Sequence, residues 1–247
     1  MGREIIVAAS AEDFAGQASR LIADAARSAI SRSGRFSIAL SGGSTVAPIY
    51  ARLSSEPGID WTNVIVFWGD ERFVALDNPY SNFRLGREAL LDRVPIPDRN
   101  IHPMPVGART PRDGARQYSE TLKNVLGIGP NGIPVFDMIQ LGMGPDGHTA
   151  SLFPGNRTLG ASSPPNLVRA VHAGLSPWVD RLTFTLPLIN AAQCVLIAAA
   201  GANKAARIRQ VLQPSSTPTR PLPVALVAPT SGRLVWLLDK AAAEEAA

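Results

Sequence analysis

Short apolar runs alternate with longer stretches of helical period along almost the whole chain. That alternation limits the possible folds more tightly than any other feature of the sequence. Residues 5–8, 36–40, 64–68, 138–141, 168–172, 195–199 and 234–238 have the length and composition of strands. Between the first two, apolar side chains at 14, 18, 21, 22, 25, 29 and 30 form one stripe of a helix over 10–31, which Ser10 can cap and Gly34 can end. Further helices are expected over 48–53, from Ser81 to about residue 91, over 113–126 and over 203–212, with a fraying helix in the alanine-rich tail. Strands that alternate with helices predict an α/β protein with a mainly parallel sheet covered on both faces. The Pro-, Gly- and Ser-rich stretches 154–166 and 214–223 do not separate regions of different composition. They read as surface loops of one domain spanning 1–247, with no internal repeat.

Composition narrows the class. At 247 residues and 45% apolar content the chain can bury a large core, and no stretch reaches the roughly 18 apolar residues of a membrane helix. The opening Met-Gly-Arg-Glu puts charge where a secretory leader is apolar, and position 6 lacks the Ser or Thr of a myristoylation signal. Cys194 is the only cysteine, so no internal disulfide is possible, and its apolar surroundings place it in the core. These features suit a soluble cytoplasmic protein. The formal charge of +4 favours an anionic partner. Scattered arginines and few aromatics speak against nucleic acid.

The carboxyl ends of parallel strands share one edge, and ligands bind there. Four loops follow apolar runs and converge on it. In Gly142-Met-Gly-Pro-Asp-Gly-His148, glycines at 142, 144 and 147 let the backbone take positive φ, and the loop delivers an imidazole just past a strand end. The same letters spell G-x-G-x-x-G. No Asp or Glu follows before Asp180 to hold a ribose, and Pro154 breaks the next segment, so a dinucleotide site is rejected. Ser41-Gly-Gly-Ser-Thr45 offers amides and hydroxyls to a phosphate at a helix start, or else forms a tight turn with a Ser or Thr cap. Gly69-Asp-Glu-Arg72 brings a permanent cation able to grip phosphate, with Asp70 orienting Arg72 or a substrate hydroxyl and Glu71 facing solvent. The alternative there is a surface charge cluster. Gly201-Ala-Asn-Lys204 sets Lys204 at a helix start, where the dipole is already positive and a bound anion would relieve the conflict. A solvated lysine is the other reading. Three widely spaced histidines and one cysteine form no zinc pattern. His102 and His172 are expected to be structural, and no G-x-S-x-G serine elbow occurs.

Taken in order, five segments strongly resemble the 6-phosphogluconolactonase family, within the glucosamine/galactosamine-6-phosphate isomerase superfamily. They are Leu40-Ser-Gly-Gly-Ser-Thr45, Trp68-Gly-Asp-Glu-Arg-Phe-Val74, Ser81-Asn82 with Arg87-Glu-Ala-Leu-Leu91, Gly142-Met-Gly-Pro-Asp-Gly-His-Thr-Ala-Ser-Leu-Phe-Pro154 and Arg181-Leu-Thr-Phe-Thr-Leu-Pro-Leu-Ile-Asn190. The likeness runs from residue 5 to about 240. The related deaminases have Asp-Glu-Tyr where this chain has Asp70-Glu71-Arg72. They also have Ala-Phe-Asn-Glu-Pro, with its glutamate, where this chain has Ala150-Ser151-Leu152-Phe153-Pro154. A smaller departure is Pro221-Leu-Pro223, where the family usually has a Pro-Ala pair.

The resemblance implies a Rossmann-like, three-layer α/β/α fold of the sugar-phosphate isomerase type and no metal or organic cofactor. It implies hydrolysis of 6-phosphoglucono-1,5-lactone to 6-phosphogluconate in the oxidative pentose phosphate pathway. The expected partner is thus a small phosphorylated sugar lactone, with no nucleic acid and no membrane, and the chain a monomer or weak homodimer. His148 is expected to act as general base toward water and then as general acid, with Asp146 holding it. Gly42, Gly43, Ser44 and Thr45 are expected at the phosphate, with charge from Lys204 and Arg72, although Arg72 is equally suited to the oxyanion at C1. Asp70 and Asn82 complete the expected substrate contacts. Two other readings are a glucosamine-6-phosphate deaminase and a non-catalytic sugar-phosphate sensor. A sensor usually carries a DNA-binding module, for which no residues remain.

Overall fold

The computed structural model describes residues 2–155, 166–174, 176–214 and 220–245. Residues 156–165 and 215–219, the middles of the two expected surface loops, therefore lie outside the described residues. In chain order the elements are β1 Arg3–Ala8, α1 Ala11–Ser33, β2 Phe36–Leu40, α2 Ala47–Leu53, β3 Val64–Trp68, β4 Asp70–Arg72, α3 Asn82–Ala89 and α4 Pro111–Leu126. They continue with β5 Met138–Leu141, β6 Val168–His172, β7 Asp180–Phe184, α5 Leu186–Asn190, β8 Cys194–Ala199, α6 Ala205–Leu212, β9 Arg233–Asp239 and α7 Lys240–Ala243. Six strands form a sheet in the order β1-β9-β8-β5-β2-β3, and every pairing in it is parallel. Helices flank it, so the expected three-layer α/β/α architecture is present.

The reasons are local first. Every residue of β2 and β5 is buried, as expected of largely apolar strands covered on both faces, and the polar Ser37 and Gln140 within them are hydrogen-bonded. At the start of α1, Ser10 Oγ accepts the Asp13 N–H at 3.1 Å, and the Asp13 carboxylate accepts the Ala9 N–H at 2.8 Å. Gly34, at φ 74°, ends the helix with its N–H on the Ile30 carbonyl. Phe14, Ala18, Ile22, Ala26 and Ala29 form the buried face, one stripe at helical spacing.

A second sheet was not expected. Strands β4, β7 and β6 pair antiparallel in the order β4-β7-β6. Residues 70–72 read as a loop in the sequence and 180–184 carried no strand assignment. Only Gly69 separates β3 from β4. Its N–H donates to the Leu40 carbonyl at 2.8 Å, and its own carbonyl accepts the Phe184 N–H at 2.8 Å. At that residue the chain leaves one sheet and enters the other. Asp-Glu-Arg has no strand propensity of its own, and pairing with β7 overrides it. Cys194, expected in the core, opens β8 only partly buried, and burial pushes its thiol up. Among the described residues, no helix is long and apolar enough to cross a membrane.

Candidate active site

All six strands of the large sheet point the same way, so the segments after β2, β3, β5 and β8 meet at one edge. They enclose a cavity of about 210 Å³. Gly42, Gly43, Ser44, Thr45, Asp70, Arg72, Asn82, His148 and Lys204 all line it. Asp146 does not line it and stands behind His148.

The geometry at His148 suits a proton carrier. Its Nδ1 lies 2.6 Å from Asp146 Oδ1, and the same oxygen accepts the His148 backbone N–H at 3.1 Å. With a carboxylate as partner Nδ1 keeps its hydrogen, which leaves Nε2 free to accept one. Burial pushes the Asp146 carboxyl up, but its hydrogen bonds to His148 outweigh this and hold it below the ordinary carboxylate range. Of the three loop glycines only Gly147 takes positive φ, at 86°. Gly144 is needed for space instead, since a Cβ there would fall 2.1 Å from the imidazole. The ring of Phe153 packs on the imidazole with centroids 5.1 Å apart.

The Ser41–Thr45 segment is held from below by buried polar groups. Tyr50 Oη lies 2.9 Å from both the N and the O of Ser41 and 2.8 Å from Gln140 Oε1. The Ser41 hydroxyl donates to the same Gln140 oxygen at 2.6 Å. The N-cap of α2 is Val46, and no side chain caps that helix. The tight turn of the alternative reading is present, with the Val46 N–H on the Gly43 carbonyl at 3.3 Å, but its Ser or Thr cap is not, and Ser44 and Thr45 line the cavity. A Cβ at Gly42 would fall 1.7 Å from Asn82 Oδ1, so only glycine admits the Asn82 side chain. Among the described residues that buried oxygen has no hydrogen-bond partner.

The Asp70–Arg72 segment departs from two expectations. Asp70 does not orient Arg72. Its buried carboxylate accepts from Ser151 Oγ at 2.6 Å and from Asn82 Nδ2 at 3.1 Å. Glu71 does not face solvent and is fully buried. Strand alternation turns it away from its neighbours, beneath the start of α3. There it accepts the N–H groups of Arg72, Asn82 and Phe83 at 2.7, 2.8 and 2.7 Å and the Ser81 hydroxyl at 3.0 Å. Burial pushes its carboxyl up in spite of these donors. The surface-cluster alternative fails with it. Arg72 donates to the Tyr80 carbonyl, and its buried Nε has no partner among the described residues.

Lys204 is the N-cap residue of α6. Its turn is tied down by Asp239, whose carboxylate accepts the Gly201 N–H at 3.0 and 3.1 Å and the Ala242 N–H at 2.8 Å. Burial pushes the Lys204 ammonium down, with Asp239 opposing. His102 stacks on Phe67 with centroids 4.8 Å apart, and His172 meets Asp180 at 3.0 Å on the surface. Neither lines the cavity. Two residues of the site were not assigned from sequence. Ser151 holds Asp70, and Arg181 lines the cavity opposite Arg72 on the neighbouring strand. Arg181 opens one of the segments that carry the family resemblance, but its place opposite Arg72 follows only from the antiparallel pairing.

Comparison with known proteins adds a family. Residues 9–236 match the family described as glucosamine-6-phosphate isomerases/6-phosphogluconolactonase. A 6-phosphogluconolactonase from a Synechocystis species is 42% identical over 216 residues, covering 87% of each chain. One from a Nostoc species is 42% identical over 217 residues, covering 88% of this chain and 87% of its own. The structure of 6-phosphogluconolactonase from Trypanosoma brucei matches with a TM-score of 0.87 at 31% identity, over 100% of this chain and 99% of that one.

Proposed function

The chain belongs to the family of glucosamine-6-phosphate isomerases and 6-phosphogluconolactonases, and on that premise we propose that it hydrolyses 6-phosphoglucono-1,5-lactone with His148 as its proton carrier. The product is 6-phosphogluconate, and the step belongs to the oxidative pentose phosphate pathway. The observation that carries the role of His148 is the 2.6 Å contact of its Nδ1 with Asp146, in a cavity whose wall also holds Ser44, Thr45 and Lys204.

In this reading Nε2 of His148 takes a proton from water as the water oxygen adds to C1. The tetrahedral intermediate collapses, the bond from C1 to the ring oxygen breaks, and the imidazolium returns the proton to that oxygen. Asp146 keeps the ring in one tautomer and orientation. Such acid–base work accounts for roughly 10²–10⁴ in rate, or about 3–5 kcal/mol. The phosphate is held by the hydroxyls of Ser44 and Thr45, the amides at Gly42 and Gly43, and the charge of Lys204. Holding this remote group fixes C1 before reaction. Arg72 supplies charge from the other side of the cavity, and Asp70 and Asn82 face the sugar hydroxyls. The chain needs no metal for this chemistry. We place the enzyme in the cytoplasm, where a lone thiol such as Cys194 stays reduced, as a monomer or weak homodimer.

The test is lactone turnover corrected for spontaneous ring opening, with glucosamine 6-phosphate as a parallel substrate. His148→Ala should lower kcat by about 10²–10⁴-fold. Near-normal turnover by that variant would remove His148 from the mechanism, and ammonia release by the wild type would point to a deaminase. Activity should survive EDTA, and strong inhibition by it would contradict the metal-free scheme.

A further inference from the structure

Arg181 has no task in the scheme above, yet its surroundings are those of a binding residue. It is 3% exposed and lines the same cavity. Among the described residues its Nε is buried without a partner, and its Nη2 reaches only the Pro177 carbonyl, at 3.4 Å. In the β4–β7 ladder it stands directly opposite Arg72, whose Nε is likewise unpartnered. Burial and the Arg72 charge push the Arg181 guanidinium down, against the pull of Asp70 and Glu71. A buried cation with no carboxylate in contact among the described residues is costly until an anion reaches it.

Phe153 links Arg181 to the catalytic loop. Its ring centre lies 5.1 Å from that of the His148 imidazole and 5.9 Å from the Arg181 guanidinium carbon. Arg181 and His148 therefore flank the same ring, and His148, which follows β5, stands between the Lys204 strand and the arginine strand in the sheet order. Lys204 follows β8, three strand spacings or about 14 Å along the sheet from β3, which leads into Arg72. The cavity thus has cations at two ends. A six-carbon sugar with its phosphate toward Lys204 directs C1 toward the two arginines.

We infer that Arg181, together with Arg72, is a catalytic residue that binds the oxyanion formed at C1 and then the carboxylate of the opened product. The inference rests on the lactonase reading and adds a second anion subsite to it. When the water oxygen bonds to C1, the carbonyl electron pair moves onto the exocyclic oxygen, where the guanidinium donors receive it. When the ring bond breaks, that pair re-forms the carbonyl and the ring oxygen takes its proton from His148. The acid so formed loses its proton to solvent, and its carboxylate remains between the arginines.

The experiment compares two ligands that share a phosphate, 6-phosphogluconate and glucitol 6-phosphate, by titration calorimetry. Only the first has a carboxylate. Wild-type protein should bind 6-phosphogluconate about ten- to a hundredfold more tightly, and equal affinities would overturn the inference without any variant. In Arg181→Gln that preference should fall about tenfold, Arg72 retaining the rest, glucitol 6-phosphate binding should change less than about twofold, and lactone kcat should fall about 10²–10³-fold. Arg181→Lys keeps the charge and should recover part of kcat. Equal weakening of both ligands, or an undiminished preference for 6-phosphogluconate, would assign Arg181 elsewhere. Lys204→Ala separates this from the underlying scheme. It should weaken both ligands alike, and if it weakens neither, the phosphate assignment fails while the carboxylate comparison still reads Arg181.

Discussion

Lys204 and Glu71 are both shifted by burial, with opposite consequences. Burial holds the Lys204 ammonium below its ordinary value of 10.5. Its charge is therefore lost at a lower pH than that of an exposed lysine. If that charge grips the phosphate, the Kd for 6-phosphogluconate should rise as pH climbs through the lowered value, before 10.5 is reached. Lys204→Arg, which stays charged, should flatten the rise, and calorimetry from neutral pH upward reads it. An identical pH profile in both proteins would separate Lys204 from the phosphate. Glu71 is a structural carboxylate, with two donors on each oxygen. Glu71→Gln turns an amide nitrogen toward two of those donors. It should destabilise the fold by about 2–4 kcal/mol, a fall in Tm of about 5–15 °C for a chain of this size. An unchanged melt would mean that the four contacts contribute little.

At the scale of elements, the Ser41–Thr45 segment hangs from β2 and is tied from beneath by Tyr50 of α2 and Gln140 of β5. Removing one hydroxyl should loosen the segment without touching His148. Tyr50→Phe is expected to raise KM for the phosphorylated lactone by about tenfold, with kcat nearly kept. Turnover of glucono-1,5-lactone, which has no phosphate to hold, should stay the same. Equal losses on both lactones would make the contact a matter of stability alone. The elements around this segment were legible in the sequence because their patterns are strong. The apolar runs of β2, β3 and β5 and the capped stripe of α1 have one physical solution each. Residues 70–72 were not legible as a strand. Their polar side chains carry no periodic signal, and only Gly69, bonded to both sheets, commits them to β4. The same blindness misplaced Glu71 in solvent and left Arg181 unassigned, because both positions follow from the β4–β7 ladder. The glycine–histidine loop was legible as part of the candidate site, but the glycines serve it for a partly different reason. Gly144 makes room for the ring, and only Gly147 uses left-handed backbone.

For the whole molecule, the cavity is a place where the two sheets are held together by what lies between them. Ser44, His148 and Lys204 come from the parallel sheet, whereas Arg72 and Arg181 come from the antiparallel one. A ligand that touches both groups binds the folded chain and has no counterpart site in the unfolded one. At a hundred times its Kd, 6-phosphogluconate should add about 2.7 kcal/mol of stability, or about 5–10 °C in Tm. Inorganic phosphate, at the same multiple of its own Kd, should give the same shift but require a far higher concentration, since it reaches only the Lys204 end. Thermal melts at graded concentrations of each anion test this directly. If phosphate matched 6-phosphogluconate at equal concentration, the sugar and its carboxylate would add nothing to binding, and the parallel sheet alone would hold the ligand.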